Sequence, residues 1–467
     1  MNMPLDVVVM AAGKGTRMKS TRPKVLHRLG GLSLLAHVLG RAASLGARQA
    51  VVITGHGAEA VEAALGQWPL GGLPMQTVRQ MPQLGTGHAV QQAMPSLADD
   101  GLTLVLSGDV PLTRTDTLQA LLQAAAGQHL ALLTLDLPDP SGYGRIVRDA
   151  DGDVQAIVEQ KDANEEQRRI QEVYSGIMAV PTRLLRGWLQ RLDNRNAQSE
   201  YYLTDVVKFA VADGLPVKAC RITDAVQVAG VNSPAQLAQL ERALQRRNAD
   251  ALMADGVRLA DPSRLDVRGQ LHCGQDVEID VNCIFEGQVV LGDGVRIGAH
   301  CVIANARIEA GAVIHPFTHI DGEQAGVRVG PGALVGPFAR LRPGADLGPE
   351  VHIGNFVEVK NSTLAAGAKA NHLAYLGDAT VGQSVNYGAG SITANYDGAY
   401  KHRTVIEDDV HVGSNCVLVA PVTLGAGGTV AGGSTITKDT PPGALSVARG
   451  KQLTIPNWKR PTKAGRA

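Results

Sequence analysis

From Val329 onward an aliphatic side chain returns at every sixth position: Val329, Val335, Leu341, Leu347, Ile353 and Val359. The same beat runs through Ile406, Val412, Leu418, Leu424, Val430 and Ile436, and earlier through Leu291, Ile297 and Ile303. Glycine often follows it, as at Gly330, Gly336, Gly348, Gly354, Gly413 and Gly425. A period of six fits neither an α-helix nor an alternating strand. It fits a parallel β-helix, in which each hexapeptide makes one short face and three faces close one coil. Residues eighteen apart then stack on adjacent coils, about 4.8 Å apart along the axis. The low aromatic content, 3%, and the 54 glycines follow from such a coil. Its thin core takes Val, Ile, Leu and Ala, and its corners are expected to need Gly.

The 44 basic and 44 acidic residues cancel. No global basic field points to nucleic acid or to a membrane surface. No apolar run reaches the ~18 residues of a membrane span, and the N-terminus lacks the pattern of a secretory leader. Five cysteines, Cys220, Cys273, Cys283, Cys301 and Cys416, form no CxxC pair. They read as buried free thiols of a cytoplasmic protein, with no disulfide framework and no zinc site.

Four regions are expected. Residues 1–232 alternate apolar strands with helical stretches, as α/β domains do; the strands are Val7–Met10, Ala50–Ile53, Leu102–Leu106 and Ala131–Leu135. Residues 233–255 read as one connecting helix, capped by Ser233, with Pro234 in its first turn and Gly256 at its end. Residues 256–450 carry the six-residue beat, which Thr393–Thr404 interrupts as an outward loop. Residues 451–467 form a polar, basic tail.

The stretch Val7 to Arg17 is a buried strand followed by a Gly13-Lys14-Gly15 turn. The glycines let backbone N–H groups approach phosphate oxygens, and Lys14 and Arg17 add positive charge. Met18 stands where a dinucleotide fingerprint needs its third glycine, and the spacing of a P-loop is absent. In the coil register that starts at Val329, Arg342 and Lys360 are eighteen apart and should stack as adjacent cations, a pair that an anion such as phosphate would stabilise. Ser414 and Gly432 are also eighteen apart, and Arg449 lies near the next step. A long ligand with its own phosphates would meet that line.

Gly13-Lys14-Gly15-Thr16-Arg17 followed by Pro23-Lys24 resembles the signature of sugar-1-phosphate nucleotidyltransferases. Further matches follow in order: Gln80, Leu84-Gly85-Thr86-Gly87, Ser107-Gly108-Asp109, Gly142-Tyr143-Gly144-Arg145, Val158-Glu159, Glu200-Tyr201-Tyr202 and Gly230-Val231-Asn232. With the hexapeptide C-terminus, nearly the whole chain resembles the bifunctional bacterial family that acetylates glucosamine-1-phosphate and then uridylylates the product. The resemblance implies a Rossmann-like nucleotidyltransferase domain plus a left-handed parallel β-helix, assembled as a homotrimer. Its substrates would be acetyl-CoA, glucosamine-1-phosphate, N-acetylglucosamine-1-phosphate and UTP. The product, UDP-N-acetylglucosamine, would feed cell-wall and lipopolysaccharide synthesis.

Carried over position by position, the resemblance makes Met10, Ala11, Ala12 and Gly13 hold uracil and ribose, with Gln80, Gly85 and Thr86 reading the base. Ser107 and Gly108 would make backbone contacts, and Arg17 and Lys24 would steady the phosphates. Gly144, Glu159 and Tyr174 would hold the sugar, although the family commonly has Asn at Tyr174. Asp109 and Asn232 would bind Mg²⁺. In the coil, Arg342, Lys360, Tyr375 and Asn386 would hold the sugar phosphate. Ala389, Asn395, Tyr396, Ser414, Gly432 and Arg449 would hold acetyl-CoA. His372 would be the general base, Glu358 would orient it or bind the amine, and Asn395 would steady the oxyanion. No cysteine falls in the motif, which implies direct acetyl transfer.

Overall fold

The computed structural model describes residues 3–461 except 67, 69 and 70. Its contacts divide the chain into two compact units, Met1–Gln245 and Arg246–Ala467.

In the first unit the expected strands form and extend slightly, as Leu5–Met10, Gln49–Thr54, Leu102–Ser107 and Leu130–Asp136. They belong to a nine-stranded sheet. Leu5–Met10 lies at its centre, parallel to Gln49–Thr54 on one side and to Leu102–Ser107 on the other. Glu172–Pro181 runs antiparallel between Leu102–Ser107 and Leu130–Asp136. Val7, Val8 and Val9 are fully buried because helices cover both faces, which is why this strand reads as a continuous apolar run. The chain leaves the central strand in opposite directions across the sheet. Its carboxyl end, at Met10 and Ser107, is therefore the switch point where α/β sheets open a crevice.

The connecting helix spans Pro234–Ala254. Ser233 Oγ accepts from Gln236 N (3.3 Å), and Gly256, at φ 93°, ends the helix as expected. Leu240 packs into the first unit and Ala249 into the core of the second, so the boundary between units falls inside the helix.

The second unit is a parallel β-helix. Short strands pair coil upon coil, Leu334–Val335 with His352–Asn355 and Arg340–Leu341 with Glu358–Lys360. Every aliphatic of the three six-residue runs is buried, none exceeding 4% exposure. Of the glycines that follow the beat, Gly336 takes a left-handed φ of 101°, as a corner does, while Gly330, Gly348, Gly354, Gly413 and Gly425 have a different role. A Cβ on Gly330 would lie 2.5 Å from the Gly348 backbone of the next coil, so close approach between coils selects glycine there. Left-handed corners are held by other glycines, as expected, among them Gly311, Gly332, Gly344 and Gly367 with φ of 69°, 66°, 76° and 69°, and also by His300, Phe317, Phe338, Phe356 and Leu373, with φ of 62°, 62°, 56°, 57° and 50°.

The interrupting loop is shorter than expected. Thr393 and Ala394 complete the strand Ile392–Ala394, and Thr404 starts the next, leaving 395–403 outside the coil. Two of the five thiols, Cys220 and Cys273, are half-buried rather than buried; all five are free. No helix of the described residues is long and apolar enough to cross a membrane.

Candidate active sites

In the first unit a cleft of about 950 Å³ opens at the switch point. It is lined by Met10, Ala11, Ala12, Gly13, Lys24, Gln80, Gly85, Thr86, Ser107 and Asp109, all expected from the sequence. Lys14 of the glycine turn and Glu200 of the matched Glu200-Tyr201-Tyr202 stretch also line it, as do His56 and Gln83, which were not singled out. Gln80 Nε2 donates to Gly85 O (2.8 Å), tying together two residues expected to read the base. Gln83 donates to Ala12 O and braces the chain as it leaves the strand. Gly15 takes φ 59°, the left-handed geometry that the turn requires. Lys14 and Arg17 project from it, exposed.

Lys24 Nζ donates to Asp109 Oδ2 (2.5 Å) and to Asn232 Oδ1 (3.1 Å). Three residues far apart in sequence thus meet at one point, and two of their oxygens aim at one cationic centre. One carboxylate and one amide oxygen form a hard donor set that suits a divalent ion completing its shell with water and phosphate. Among the described residues no three His, Cys, Asp or Glu side chains gather as a metal group.

The sugar-holding residues lie together, with Tyr174 N donating to Gly144 O (2.9 Å). A Cβ on Gly144 would stand 3.7 Å from Glu159 Oε1. Burial pushes the Glu159 carboxyl above the usual carboxylate range, partly offset by the Thr204 hydroxyl at 3.0 Å. Tyr174 departs from expectation. Its hydroxyl is buried without a hydrogen-bond partner among the described residues, and its ring packs in the apolar core. Its side chain is therefore a core element rather than a displayed sugar contact.

In the β-helix, Leu341 pairs with Val359, and Arg342 N donates to Val359 O (2.9 Å). Arg342 and Lys360 therefore stack on adjacent coils. A third cation that sequence reasoning missed joins them. Lys401 beside Lys360, and then Arg342, hold the Lys360 ammonium below the usual lysine range. The outward loop delivers Lys401 by folding back on itself, with Tyr396 bridging to Lys401 and Asp397 accepting from Ala399 N (2.8 Å) and Tyr400 N (2.7 Å). Lys360 pairs with Gly377 on the next coil, and a Cβ at Gly377 would overlap the Tyr375 hydroxyl. Glycine there lets Tyr375 reach over the cation row.

His372 ends the strand Lys369–His372, one corner before Tyr375. Its Nδ1 lies 3.0 Å from Asn355 Oδ1, and the two residues pair across adjacent coils. Glu358 does not orient it, contrary to one expectation. That carboxylate is held by Arg342 (2.7 Å) and Arg340 (3.4 Å). Asn395 is buried and donates to Asp378 Oδ2 (2.5 Å), so one of its amide hydrogens is already committed. Asn386 is exposed on the strand above Lys369.

The remaining expected residues fall on one edge of the coil. Gly390 N donates to His372 O (3.3 Å), and Asn415 N donates to Ala389 O (2.8 Å). Gly433 N donates to Ser414 O (2.8 Å), and Arg449 donates to Gly432 O (2.6 Å). His372, Ala389, Ser414, Gly432 and Arg449 thus climb successive coils. Tyr396, on the outward loop, is exposed, with its hydroxyl given to Gly398 O (2.6 Å). Cys416 turns inward, its thiol donating to Ala431 O (3.3 Å).

A crevice built from a glycine turn and a lysine–carboxylate pair, carried on one chain with a hexapeptide coil, defines a nucleotidyltransferase joined to an acyltransferase. The MobA-like NTP transferase domain family matches residues 7–170, and the bacterial transferase hexapeptide (six repeats) family matches residues 272–305. The chain is 74% identical over 479 aligned residues to the bifunctional protein GlmU of Polaromonas sp. (strain JS666 / ATCC BAA-500), covering 100% of both chains. It is 73% identical over 472 residues to that of Paracidovorax citrulli (strain AAC00-1), covering 99% of each. To that of Nitrosospira multiformis it is 55% identical over 462 residues, covering 98% of each. The chain belongs to the GlmU family, and it is a bifunctional enzyme of UDP-N-acetylglucosamine synthesis with both transferase activities.

Proposed function

We propose that the two reactions run at two independent sites, one on each unit, with the residue roles that follow. In the coil, the phosphate of glucosamine-1-phosphate lies on Arg342, Lys360 and Lys401, with Tyr375 and Asn386 against the sugar. His372 takes the proton as the amine attacks the thioester carbonyl of acetyl-CoA. The C–N bond forms and the C–S bond breaks. The coenzyme A thiolate then receives that proton from the imidazolium, so no acyl-cysteine forms. The thioester's carrier runs along Ala389, Ser414 and Gly432 to Arg449, which pairs with its phosphates. The observation that supports this most is the single edge on which those residues climb, starting from His372.

In the α/β unit, the phosphate oxygen of N-acetylglucosamine-1-phosphate attacks the α-phosphorus of UTP, and pyrophosphate leaves. Such transfer needs positioning and charge neutralisation more than a side-chain nucleophile. Asp109 and Asn232 would hold Mg²⁺, which when bound adds charge neutralisation at the triphosphate. Lys24 and Arg17 steady the phosphates. Gln80, Gly85 and Thr86 read uracil, and Gly144 and Glu159 hold the sugar.

The unit of function is a homotrimer in the cytoplasm, where acetyl-CoA and UTP are at hand. Phe317, Phe338 and Phe356 stack in a column with ring centroids 5.0 and 5.4 Å apart, each about half exposed, and Leu373 continues the column beside His372. An exposed apolar stripe of this kind supports a seam between copies of the chain.

Paired substitutions test independence. His372→Ala should abolish coenzyme A release with glucosamine-1-phosphate and leave pyrophosphate release intact. Asp109→Ala, or chelation of divalent ions, should do the reverse, with Mg²⁺ restoring the chelated enzyme. Loss of both activities in a folded single variant would refute separate sites.

A further inference from the structure

The proposed base His372 has a single ring partner among the described residues, the side-chain amide oxygen of Asn355. An exposed imidazole can hold its neutral proton on either nitrogen and can rotate. Amine deprotonation needs one nitrogen to keep a free lone pair facing the substrate, and that requires the proton to sit on the other. A carbonyl oxygen 3.0 Å from Nδ1 accepts a hydrogen bond and cannot donate one, so it favours the tautomer with hydrogen on Nδ1 and a lone pair on Nε2.

The surrounding groups leave this task to Asn355. Glu358 is committed to Arg342 and Arg340. His352 and Lys369 sit at the opposite ends of the two paired strands, where they pair with each other. On the following coil, Asn386 pairs with Lys369 at the far end of the strand and Tyr387 is buried. Asn355 itself is fixed by the fold. It lies opposite His372 in the strand register, and its backbone oxygen accepts from Leu373 N (3.0 Å) at the left-handed corner.

We infer that Asn355 is a positioning residue for acetyl transfer, holding His372 in the Nδ1-protonated orientation that presents Nε2 as the base. The inference rests on the reading of His372 as the base. A neutral amide has a particular merit in this place. A carboxylate would stabilise the imidazolium and hold part of the enzyme in a form that cannot accept the amine's proton near neutral pH. An amide fixes direction and brings no charge to the imidazole.

The test uses the full-length protein and three variants: Asn355→Ala, Asn355→Asp and His372→Ala. Each preparation is first checked for wild-type uridylyl transfer and for a wild-type circular dichroism spectrum and Tm, which report intact α/β and coil units. The strand-pairing bonds at this position are made by the backbone and survive the substitutions. Asn355→Ala should lower kcat for acetyl transfer about 10- to 100-fold, the usual cost of losing a group that orients a functional histidine, with KM for both substrates within about twofold. Asn355→Asp keeps the acceptor. It should recover most of that loss at alkaline pH and move the acid limb of the kcat profile to higher pH. Wild-type kcat and an unmoved profile in Asn355→Ala would overturn the inference. So would equal loss in the Ala and Asp variants at every pH, which marks a mere brace. Acetyl transfer that survives His372→Ala would instead overturn the base itself, so the two failures are distinguishable.

Discussion

Lys401 offers the sharpest check on the coil site, because its role came from the folded loop and not from the repeat. It sits on the outward segment 395–403 yet returns to Lys360 closely enough, with Arg342, to hold that ammonium below the usual lysine range. Three like charges converge, and their mutual repulsion is relieved when a phosphate dianion binds. Removing Lys401 deletes one charge-assisted contact at an exposed position. Such a contact contributes about 1–2 kcal/mol once solvent screening is allowed for, or roughly 5- to 30-fold in affinity. Lys401→Ala should therefore raise KM for glucosamine-1-phosphate by that factor, measured by thiol release at saturating acetyl-CoA. KM for acetyl-CoA and the rate of uridylyl transfer should not move. The loss should shrink as salt rises, because salt screens an exposed cation. Lys401→Arg should retain most of the affinity, since charge is what matters. A sugar-phosphate KM unchanged within twofold in Lys401→Ala would refute a three-cation phosphate site.

Two further outcomes bear on the proposed roles. Burial raises the Glu159 carboxyl above its unfolded range near 4.3, so the native state keeps a proton that the unfolded chain has released. Stability should be greatest below that range and fall as pH rises through it, and Glu159→Gln should raise Tm at pH 7.5 but not at pH 4. The same variant should raise KM for N-acetylglucosamine-1-phosphate about tenfold, a contact of ~1.4 kcal/mol. Phe338→Asp places a charge in the middle of the aromatic column and should convert trimer to monomer in sedimentation velocity, with pyrophosphate release preserved. A trimer that persists would remove the column from the seam.

The periodic parts of this chain were legible because period alone dictates which side chains face inward. Every aliphatic of the three runs proved buried, and the strand Leu5–Met10 and helix Pro234–Ala254 formed where apolar patterning and caps placed them. Arg342 and Lys360 could be stacked from numbering alone because coils convert spacing into distance. Three features escaped local pattern. Asp109 and Asn232 could be paired only through the family resemblance, because they and Lys24 meet through tertiary folding and carry no local signal. The Tyr174 position could not be weighed without knowing that the ring turns into the core. Glycine after the beat looked like a corner residue, whereas at Gly330 and Gly348 the fold uses it where two coils come too close for a Cβ, and most left-handed corner glycines, such as Gly332 and Gly344, fall three residues after the beat.

The function of the coil concentrates where its rule fails. Most coils advance by seventeen or eighteen residues, as from Leu334 to His352 to Lys369. The step from Asn386 to His411 takes twenty-five. A perfect repeat would stack identical environments and offer no enclosed pocket. The extra residues of this one step leave the coil at Asn395 and return at Thr404. They present Tyr396, exposed, and carry Lys401, which bridges to it, back to the cation pair. A local break in an otherwise strict pattern costs packing that the coil would otherwise have, so it persists where something else is gained. By this argument, shortening 395–403 to a plain turn should leave a stable, uridylylating β-helix protein that no longer acetylates, because the ruler would remain while both of the groups it delivers were gone.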